Sequence, residues 1–169
     1  MIEYIKSDLE KLEKPGFISF LKWYFFPKGS TFRFQFWFRV LSCLRKSKIG
    51  RLVQFPVYII LRHYEYKYQV HANANIPVGK GLLIVHGDGV HLNATSIGEN
   101  FKVYGNVTIG EKNGEVPVIE DNVTIYTGAV VCGGITLHEG CTVGANAFVD
   151  KDVAEGDIVA GIPAKSIKD

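Results

Sequence analysis

Apolar residues recur at every sixth position through the C-terminal half of the chain, from Ile119 to Ala154. The first place of each six is aliphatic and the fifth is small or apolar, while Gly, Asn, Asp and Thr lie between them. A helix repeats its apolar face every three or four residues and a strand every two, so neither alone explains this period. The period predicts short strands joined by turns and stacked as the coils of a β-solenoid, about 4.8 Å apart. The positions are Ile119, Ile125, Val131, Leu137, Val143 and Val149 (first place) and Val123, Ala129, Ile135, Cys141, Ala147 and Val153 (fifth place).

The same period is present upstream, where it is interrupted. Residues 111–117 break the count before Ile119 resumes it, which predicts an inserted loop that leaves the solenoid. Loops on a rigid scaffold often carry function. We expect the solenoid domain to span 67–169, with 155–169 as its tail. The upstream positions are Val78, Ile84 and Val90, then Ile97, Val103 and Ile109 in a frame displaced by one residue.

Residues 1–66 show a helical pattern instead, with apolar residues three or four apart and breaks at Pro and Gly. Ser30 or Thr31 can cap the third helix, and Pro56 can kink the fourth. Because an open solenoid end exposes unpaired backbone groups, we predict that this α-helical region covers the first coil. The predicted helices are 2–13, 17–26, 31–46 and 51–65, with a turn at 27–29.

Charge divides the chain in the same way. Residues 1–68 hold 13 Lys/Arg and 5 Asp/Glu, a formal charge of +8, whereas residues 69–169 hold 6 and 12, a charge of −6. The first region is also aromatic, with 11 Phe, Trp or Tyr among the 26 residues from Pro15 to Val40. Aromatic rings beside Lys and Arg suit an anionic membrane surface as well as protein packing. Peripheral membrane contact therefore stands beside the packing interpretation.

Several functional classes are excluded by what the chain lacks. No apolar run approaches the roughly 20 residues of a membrane span, and no signal-peptide pattern is present. Three cysteines without CxxC or Cys/His spacing predict reduced thiols and no metal site. There is no P-loop and no GxSxG nucleophile, and we expect no nucleic-acid partner. We expect a cytoplasmic location, with contact at the inner face of the cell membrane as the peripheral option.

The most irregular stretch of the solenoid, residues 82–93, contains the best candidate for chemistry. His86 follows Ile84 at a corner position that should point outward, and Gly87 and Gly89 let the backbone approach a ligand closely. One histidine without a nucleophile suits general-base catalysis, in which a neutral imidazole removes the proton of an acceptor hydroxyl. That hydroxyl can then attack an activated carbonyl whose oxyanion backbone N–H groups hold.

Four segments resemble the hexapeptide-repeat acyltransferases, nearest to the serine acetyltransferase-like branch and its relatives that O-acetylate bacterial polysaccharides. The resemblance implies a left-handed parallel β-helix that assembles as a homotrimer. It also implies acetyl-CoA, as the acyl donor, in a groove between neighbouring subunits, without a metal. The segments are LLIVHGDGVHLN (82–93), VYGNVTIG (103–110), VTIYTGAVVCGGITLHEGCTVGANAFVDKDV (123–153) and VAGIPAKSI (159–167).

The same motifs imply residue roles. His86 would be the general base. Lys151 and Lys165 would face the CoA phosphates, which their positive charge in an acidic half of the chain favours. The positions matching acetyl-CoA contacts are Thr127, Ala145, Asp150, Lys151 and Lys165.

Two departures from serine acetyltransferases concern the acceptor. Those enzymes carry an aspartate immediately before the base, where this chain has Val85, and a histidine before the proline of the inserted loop, where it has Val116. Valine cannot pair with an ammonium or carboxylate group. The chain is therefore predicted to have an acceptor pocket that includes Val85, Val116 and His91, with serine binding weakened.

A third departure concerns the orientation of the base. The family carries an aspartate two residues before the histidine that corresponds to His71, and this chain has Gln69. Gln69 can hold His86 by a neutral hydrogen bond, which gives a less basic imidazole than a carboxylate would. Asp88 or His91 can serve instead, and the sequence leaves this choice open.

Three functions follow as hypotheses. The first is an acetyl-CoA-dependent O-acetyltransferase acting on a sugar of a capsular or exopolysaccharide precursor, including lipid-linked acceptors. The second is a serine O-acetyltransferase of cysteine biosynthesis. The third is a non-catalytic trimeric solenoid scaffold.

Overall fold

The computed structural model describes residues 1–26 and 31–168. The turn predicted at 27–29, Ser30 as a cap and the last residue, Asp169, lie outside the described residues. The fourth helix begins three residues before the predicted start, because the Ser47 side chain accepts a hydrogen bond from the Gly50 N–H. Pro56 lies inside this helix without ending it. The helices are α1 (Ile2–Glu10), α2 (Phe17–Phe25), α3 (Phe32–Leu44) and α4 (Lys48–Tyr68).

Short strands follow and stack as a left-handed parallel β-helix of about five coils, so the predicted fold class is confirmed. The strands form three faces: face 1 (β1, β3, β6, β9 and β12), face 2 (β4, β7 and β10) and face 3 (β2, β5, β8, β11 and β13, with antiparallel β14). Their bounds are β1 Val70–Ala72, β2 Leu83–Val85, β3 Val90–Leu92, β4 Ser96–Ile97, β5 Lys102–Tyr104, β6 Thr108–Gly110, β7 Val118–Ile119, β8 Thr124–Ile125, β9 Val130–Cys132, β10 Thr136–Leu137, β11 Thr142–Val143, β12 Phe148–Val149, β13 Ile158–Ala160 and β14 Lys165–Ser166.

The core of the solenoid consists of the residues of the six-residue period. All twelve positions from Ile119 to Val153 are buried, with the largest exposed fraction 8% at Ile135. The prediction that the first and fifth places point inward is therefore confirmed. Cys141 takes part in this core, and burial raises the pKa of its thiol to about 12.

A buried ion pair joins the helices to the first coil. Arg39 in α3 donates two hydrogen bonds to the Asp8 carboxylate in α1, at 2.8 and 2.9 Å. Arg39 also donates to the carbonyl oxygens of Val78 and Gly79, and Asp8 accepts from the Leu82 N–H. Burial raises the pKa of Asp8, and the Arg39 guanidinium opposes that rise.

Two further side chains of the helical region bond the edge of β2. Gln35 donates to the carbonyl of Leu82 at 2.6 Å, and the Thr31 hydroxyl donates to that of Ile84 at 3.0 Å. Thr31 precedes α3 but makes no side-chain capping bond, so its hydroxyl serves the first coil instead of its own helix. These bonds confirm that the helices cover the first coil.

The described residues contain neither a membrane-spanning helix nor a cluster of metal ligands. None of the helices that the structure describes is long and apolar enough to cross a membrane. Among the same residues, no group of three or more His, Cys, Asp or Glu side chains is placed to hold a metal ion.

Candidate functional site

The corner that carries His86 is longer than the corners stacked upon it. Val85 pairs with Tyr104, and His91 pairs with Thr108. Five residues lie between Val85 and His91, but only three lie between Tyr104 and Thr108 in the next coil. The His86 corner therefore has two extra residues. The additional backbone makes this corner project from the prism.

Glycines allow that corner to sit against the end of α4. A Cβ on Gly87 would approach the Tyr68 carbonyl oxygen to 2.8 Å, which is closer than real contacts allow. Gly89 has a φ of 75°, in the left-handed region that favours glycine. The Asp88 carbonyl accepts a hydrogen bond from the Asn106 N–H at 2.7 Å, which ties the corner to the next coil.

The polar side chains of this corner are exposed and uncommitted. His86 is exposed with a φ of 58°, and its imidazole has no hydrogen bond or ion pair to any residue that the structure describes. Gln69 ends α4 in the left-handed conformation, and its backbone carbonyl accepts from the Val90 N–H. The Gln69 amide and the Asp88 carboxylate likewise have no bonded partner among the described residues. Three polar groups are therefore free to contact a ligand.

An aromatic pair lies next to the corner on face 3, and sequence reasoning missed it. Tyr104 is the register partner of Val85, and its ring stacks on that of Tyr126 in the next coil, with centroids 4.9 Å apart and planes 17° from parallel. Lys102 lies over the Tyr104 ring at 5.1 Å, and the interaction with Tyr104 raises the pKa of that lysine. The available signal was the recurrence of Tyr at one place of two consecutive coils.

Two of the predicted acetyl-CoA residues continue the same edge of the prism. Gly128 N–H donates to the Gly105 carbonyl and Asn146 N–H to the Thr127 carbonyl, so Gly105, Thr127 and Ala145 stack in the coils after His86. Both predicted residues are exposed. At the strand spacing, the edge from His86 to Ala145 is about 14 Å long. Lys165 pairs with Ala160 in β13 and borders the far end of this edge.

The other predicted residues lie on a different edge, between faces 1 and 2. The inserted loop closes on itself through a bridge between Lys112 and Glu115. Lys112 forms an ion pair with Asp150 at 2.9 Å, which lowers the pKa of that carboxyl. Lys151 is exposed beside this pair, and the Val116 carbonyl accepts from the Thr95 hydroxyl at 3.4 Å. The loop therefore lies against the coil that contains Asp150.

One chain thus carries two candidate partial sites. The His86 edge holds the candidate base, and the loop edge holds Val116, Asp150 and Lys151, with face 1 between them. His91 lies on face 1 and stacks on His71, with ring centroids 4.9 Å apart. The sequence-predicted residues are therefore not brought together within one chain.

Comparisons with known proteins agree with the fold, and the similar proteins described below are named serine acetyltransferase. Residues 117–151 match the family described as bacterial transferase hexapeptide (six repeats). The serine acetyltransferase of Bacillus licheniformis is 40% identical over 104 residues, which cover 59% of this chain and 47% of that protein. The chain thus spans about half the length of the curated relatives it matches.

Solved structures extend the likeness to almost the whole chain. Serine acetyltransferase from Brucella abortus strain S19 superposes with a TM-score of 0.79 at 26% identity, covering 97% of this chain and 67% of that one. The same Brucella enzyme is also solved in complex with coenzyme A. Soybean serine acetyltransferase complexed with serine gives a TM-score of 0.79 at 26% identity, covering 97% and 68%.

Proposed function

We propose that this chain, a homologue of serine acetyltransferases that carries the bacterial transferase hexapeptide repeat, transfers an acetyl group from acetyl-CoA to a hydroxyl group. The observation that carries the proposal is the exposed, uncommitted His86 on an edge continuous with Thr127 and Ala145. Coenzyme A in the Brucella neighbour supports the donor.

The proposed reaction needs one base and no covalent intermediate on the protein. The neutral His86 imidazole takes the proton of the acceptor hydroxyl as its oxygen attacks the thioester carbonyl. The tetrahedral intermediate then collapses, the C–S bond breaks, and the imidazolium returns the proton to the CoA thiolate. The products are the O-acetyl ester and free CoA. The Gln69 amide and the Asp88 carboxylate, which have no bonded partner among the described residues, would orient the imidazole.

The donor would lie along the His86 edge, with its thioester at the projecting corner. Thr127 and Ala145 would flank the pantetheine arm, and Lys165 at the far end would face the phosphates. The exposed Lys151 and the Asp150 carboxylate belong to the loop edge. They would reach the donor from a neighbouring subunit.

Two edges of one chain can form one site only if copies associate head to tail. Such a contact joins different surfaces of the two partners, and it gives a ring when the rotation between them closes. We propose a homotrimer with three shared sites, the assembly that the resemblance to hexapeptide-repeat acyltransferases implies. Mixing His86→Ala chains with Lys151→Ala chains under exchange conditions should restore part of the transfer that each lacks. Absence of restoration in mixed trimers would contradict shared sites.

L-Serine is the acceptor that the comparisons favour, because the relatives are named serine acetyltransferase and one neighbour holds serine. A sugar hydroxyl is the second candidate, and it rests on a specific observation. Val85 and the stacked Tyr104 and Tyr126 give the wall beside His86 a largely aromatic surface, with Lys102 over the Tyr104 ring. Aromatic and apolar walls of this kind suit the C–H face of a pyranose better than a zwitterion.

The test is release of free thiol from acetyl-CoA with a panel of acceptors: L-serine, nucleotide sugars and lipid-linked oligosaccharides. Release with serine alone supports the first acceptor, and release with a sugar alone supports the second. A thermal-shift titration runs in parallel, since a ligand at a hundred times its Kd adds about 2.7 kcal/mol of stability. Absence of any shift with acetyl-CoA would contradict the enzyme proposal and favour a non-catalytic scaffold.

A further inference from the structure

Helix α4 carries apolar residues on two opposite sides. At about 100° per residue, one side turns toward α3 and the solenoid, where Leu61 is buried and Val57, Tyr64 and Tyr68 pack against the core. The opposite side carries three large apolar residues that nothing within the described chain covers, and we call them the outer stripe. They are Leu52, Phe55 and Ile59, with exposed fractions of 83, 68 and 53%.

Apart from the Arg62–Glu65 pair, the charges of α4 are basic. Four Lys or Arg residues lie in α4, and its single acidic residue, Glu65, is buried and paired with Arg62 at 2.6 Å. No carboxylate of α4 is therefore free to balance the cations. Two outer stripes packed against each other would bring like charges together, which disfavours a symmetric contact between copies of this helix. The apolar stripe and the basic residues of α4 together fit a partner that has an apolar interior beneath a negatively charged surface.

We propose that the outer stripe docks α4 on the surface of an anionic lipid bilayer. Its apolar side chains would enter the boundary between headgroups and acyl chains, while Lys48 and Arg51 contact lipid phosphates. A helix of 21 residues lies about 31 Å along the surface. This mode needs no membrane span, and it does not depend on acetyl transfer.

Docking in this orientation has a consequence for the candidate site. Helix α4 ends at Tyr68, whose carbonyl lies against Gly87 in the His86 corner. The membrane-bound helix would therefore hold the His86 edge at a fixed place relative to the lipid surface. An acceptor carried on a lipid would then reach the site without leaving the bilayer.

The test is co-sedimentation of the full chain with vesicles of phosphatidylcholine, with or without about one third phosphatidylglycerol. The wild type should bind the anionic vesicles, and Leu52→Asp/Phe55→Asp should weaken that binding about tenfold or more, since it places two charges in the boundary. Lys48→Gln/Arg51→Gln should weaken it severalfold and reduce its sensitivity to salt. Ile167→Asp is the matched control, because Ile167 is an exposed aliphatic residue of the tail at 60%, and it should bind as the wild type does.

Two outcomes would overturn the proposal. One is failure of the wild type to bind anionic vesicles, and the other is equal binding by the Leu52/Phe55 variant. If the Leu52/Phe55 variant instead has a lower molecular mass in solution than the wild type, and neither protein binds lipid, the outer stripe is a contact between chains. An unchanged acetyl-CoA thermal shift in the same variant would show intact folding, and loss of vesicle binding leaves the proposed transfer reaction to its own test.

Discussion

The solenoid and the helical region both bury apolar side chains, but they differ in whether they also bury polar ones. Among the described residues, the buried side chains of the solenoid are apolar, whereas all five buried polar or charged side chains lie in the helical region. Four of them make bonds at the first coil, and Glu65 pairs with Arg62. The four are Asp8, Thr31, Gln35 and Arg39.

The difference follows from backbone hydrogen bonding. Each inner coil receives its backbone partners from the coils on either side, so its side chains can be purely apolar. On face 3 the first coil, at β2, has a strand on one side only, and polar side chains of the helices supply bonds on the other. The His86 corner lies at this junction. Changes at the junction should therefore affect stability and transfer together, while changes in a middle coil should affect stability alone.

The largest loss of stability is expected from Arg39→Ala. The substitution leaves the Asp8 carboxylate buried without its cation, and breaking such a pair costs about 3–5 kcal/mol. Urea unfolding followed by circular dichroism measures the change. Lys22→Ala is the control, because the Lys22–Glu13 pair is largely exposed and its removal should change the unfolding free energy far less. Equal losses in both variants would contradict the role given to the buried pair.

A slightly smaller loss is expected from Leu137→Ala in the middle of the solenoid. Leu137 is fully buried, and truncation of a buried leucine costs about 3 kcal/mol through lost burial and the cavity left behind. Transfer activity per folded molecule should stay near that of the wild type, since the Leu137 side chain points into the solenoid core and belongs to neither partial site. Activity that falls far more than the folded fraction would show that the coils do more than hold the fold.

The smallest change in stability, about 1–3 kcal/mol from overpacking, is expected from Gly87→Ala. The added methyl group would meet the Tyr68 carbonyl and the Thr31 side chain, so the corner must shift and carry His86 with it. The rate constant kcat for transfer should fall more than the affinity for acetyl-CoA. Gly16→Ala is the control, because no atom lies within 4 Å of its added methyl group. A wild-type kcat in the Gly87 variant would show that the position of this corner does not affect the transfer step.

The sequence predicted the repetitive part of the molecule best. The twelve positions of the period predict burial directly, because every coil repeats the same geometry and places the same two positions in the core. The helical pattern placed four helices, but the start of α4 depended on a capping bond from Ser47 that the pattern does not encode.

The arrangement of the candidate site was less predictable. The six-residue period does not indicate to which face of the solenoid a given position belongs. The separation of His86 and Val116 onto different edges could therefore be seen only in the three-dimensional structure. Tyr recurs at one place of two consecutive coils, but the stacking of Tyr104 on Tyr126 depends on the register of two coils 22 residues apart, which the six-residue period does not fix. Thr31 was predicted as a possible helix cap, and the structure shows its hydroxyl bonded to the first coil instead.

The most direct test of the account compares His86→Ala with His63→Ala, an exposed histidine of α4, using thiol release and the acetyl-CoA thermal shift on the same samples. General-base catalysis contributes about 10²- to 10⁴-fold, so His86→Ala should lose transfer by that factor. Its acetyl-CoA shift and its stability should match those of the wild type and of His63→Ala. Transfer by His86→Ala at close to the wild-type rate would contradict the assignment of His86 as the base.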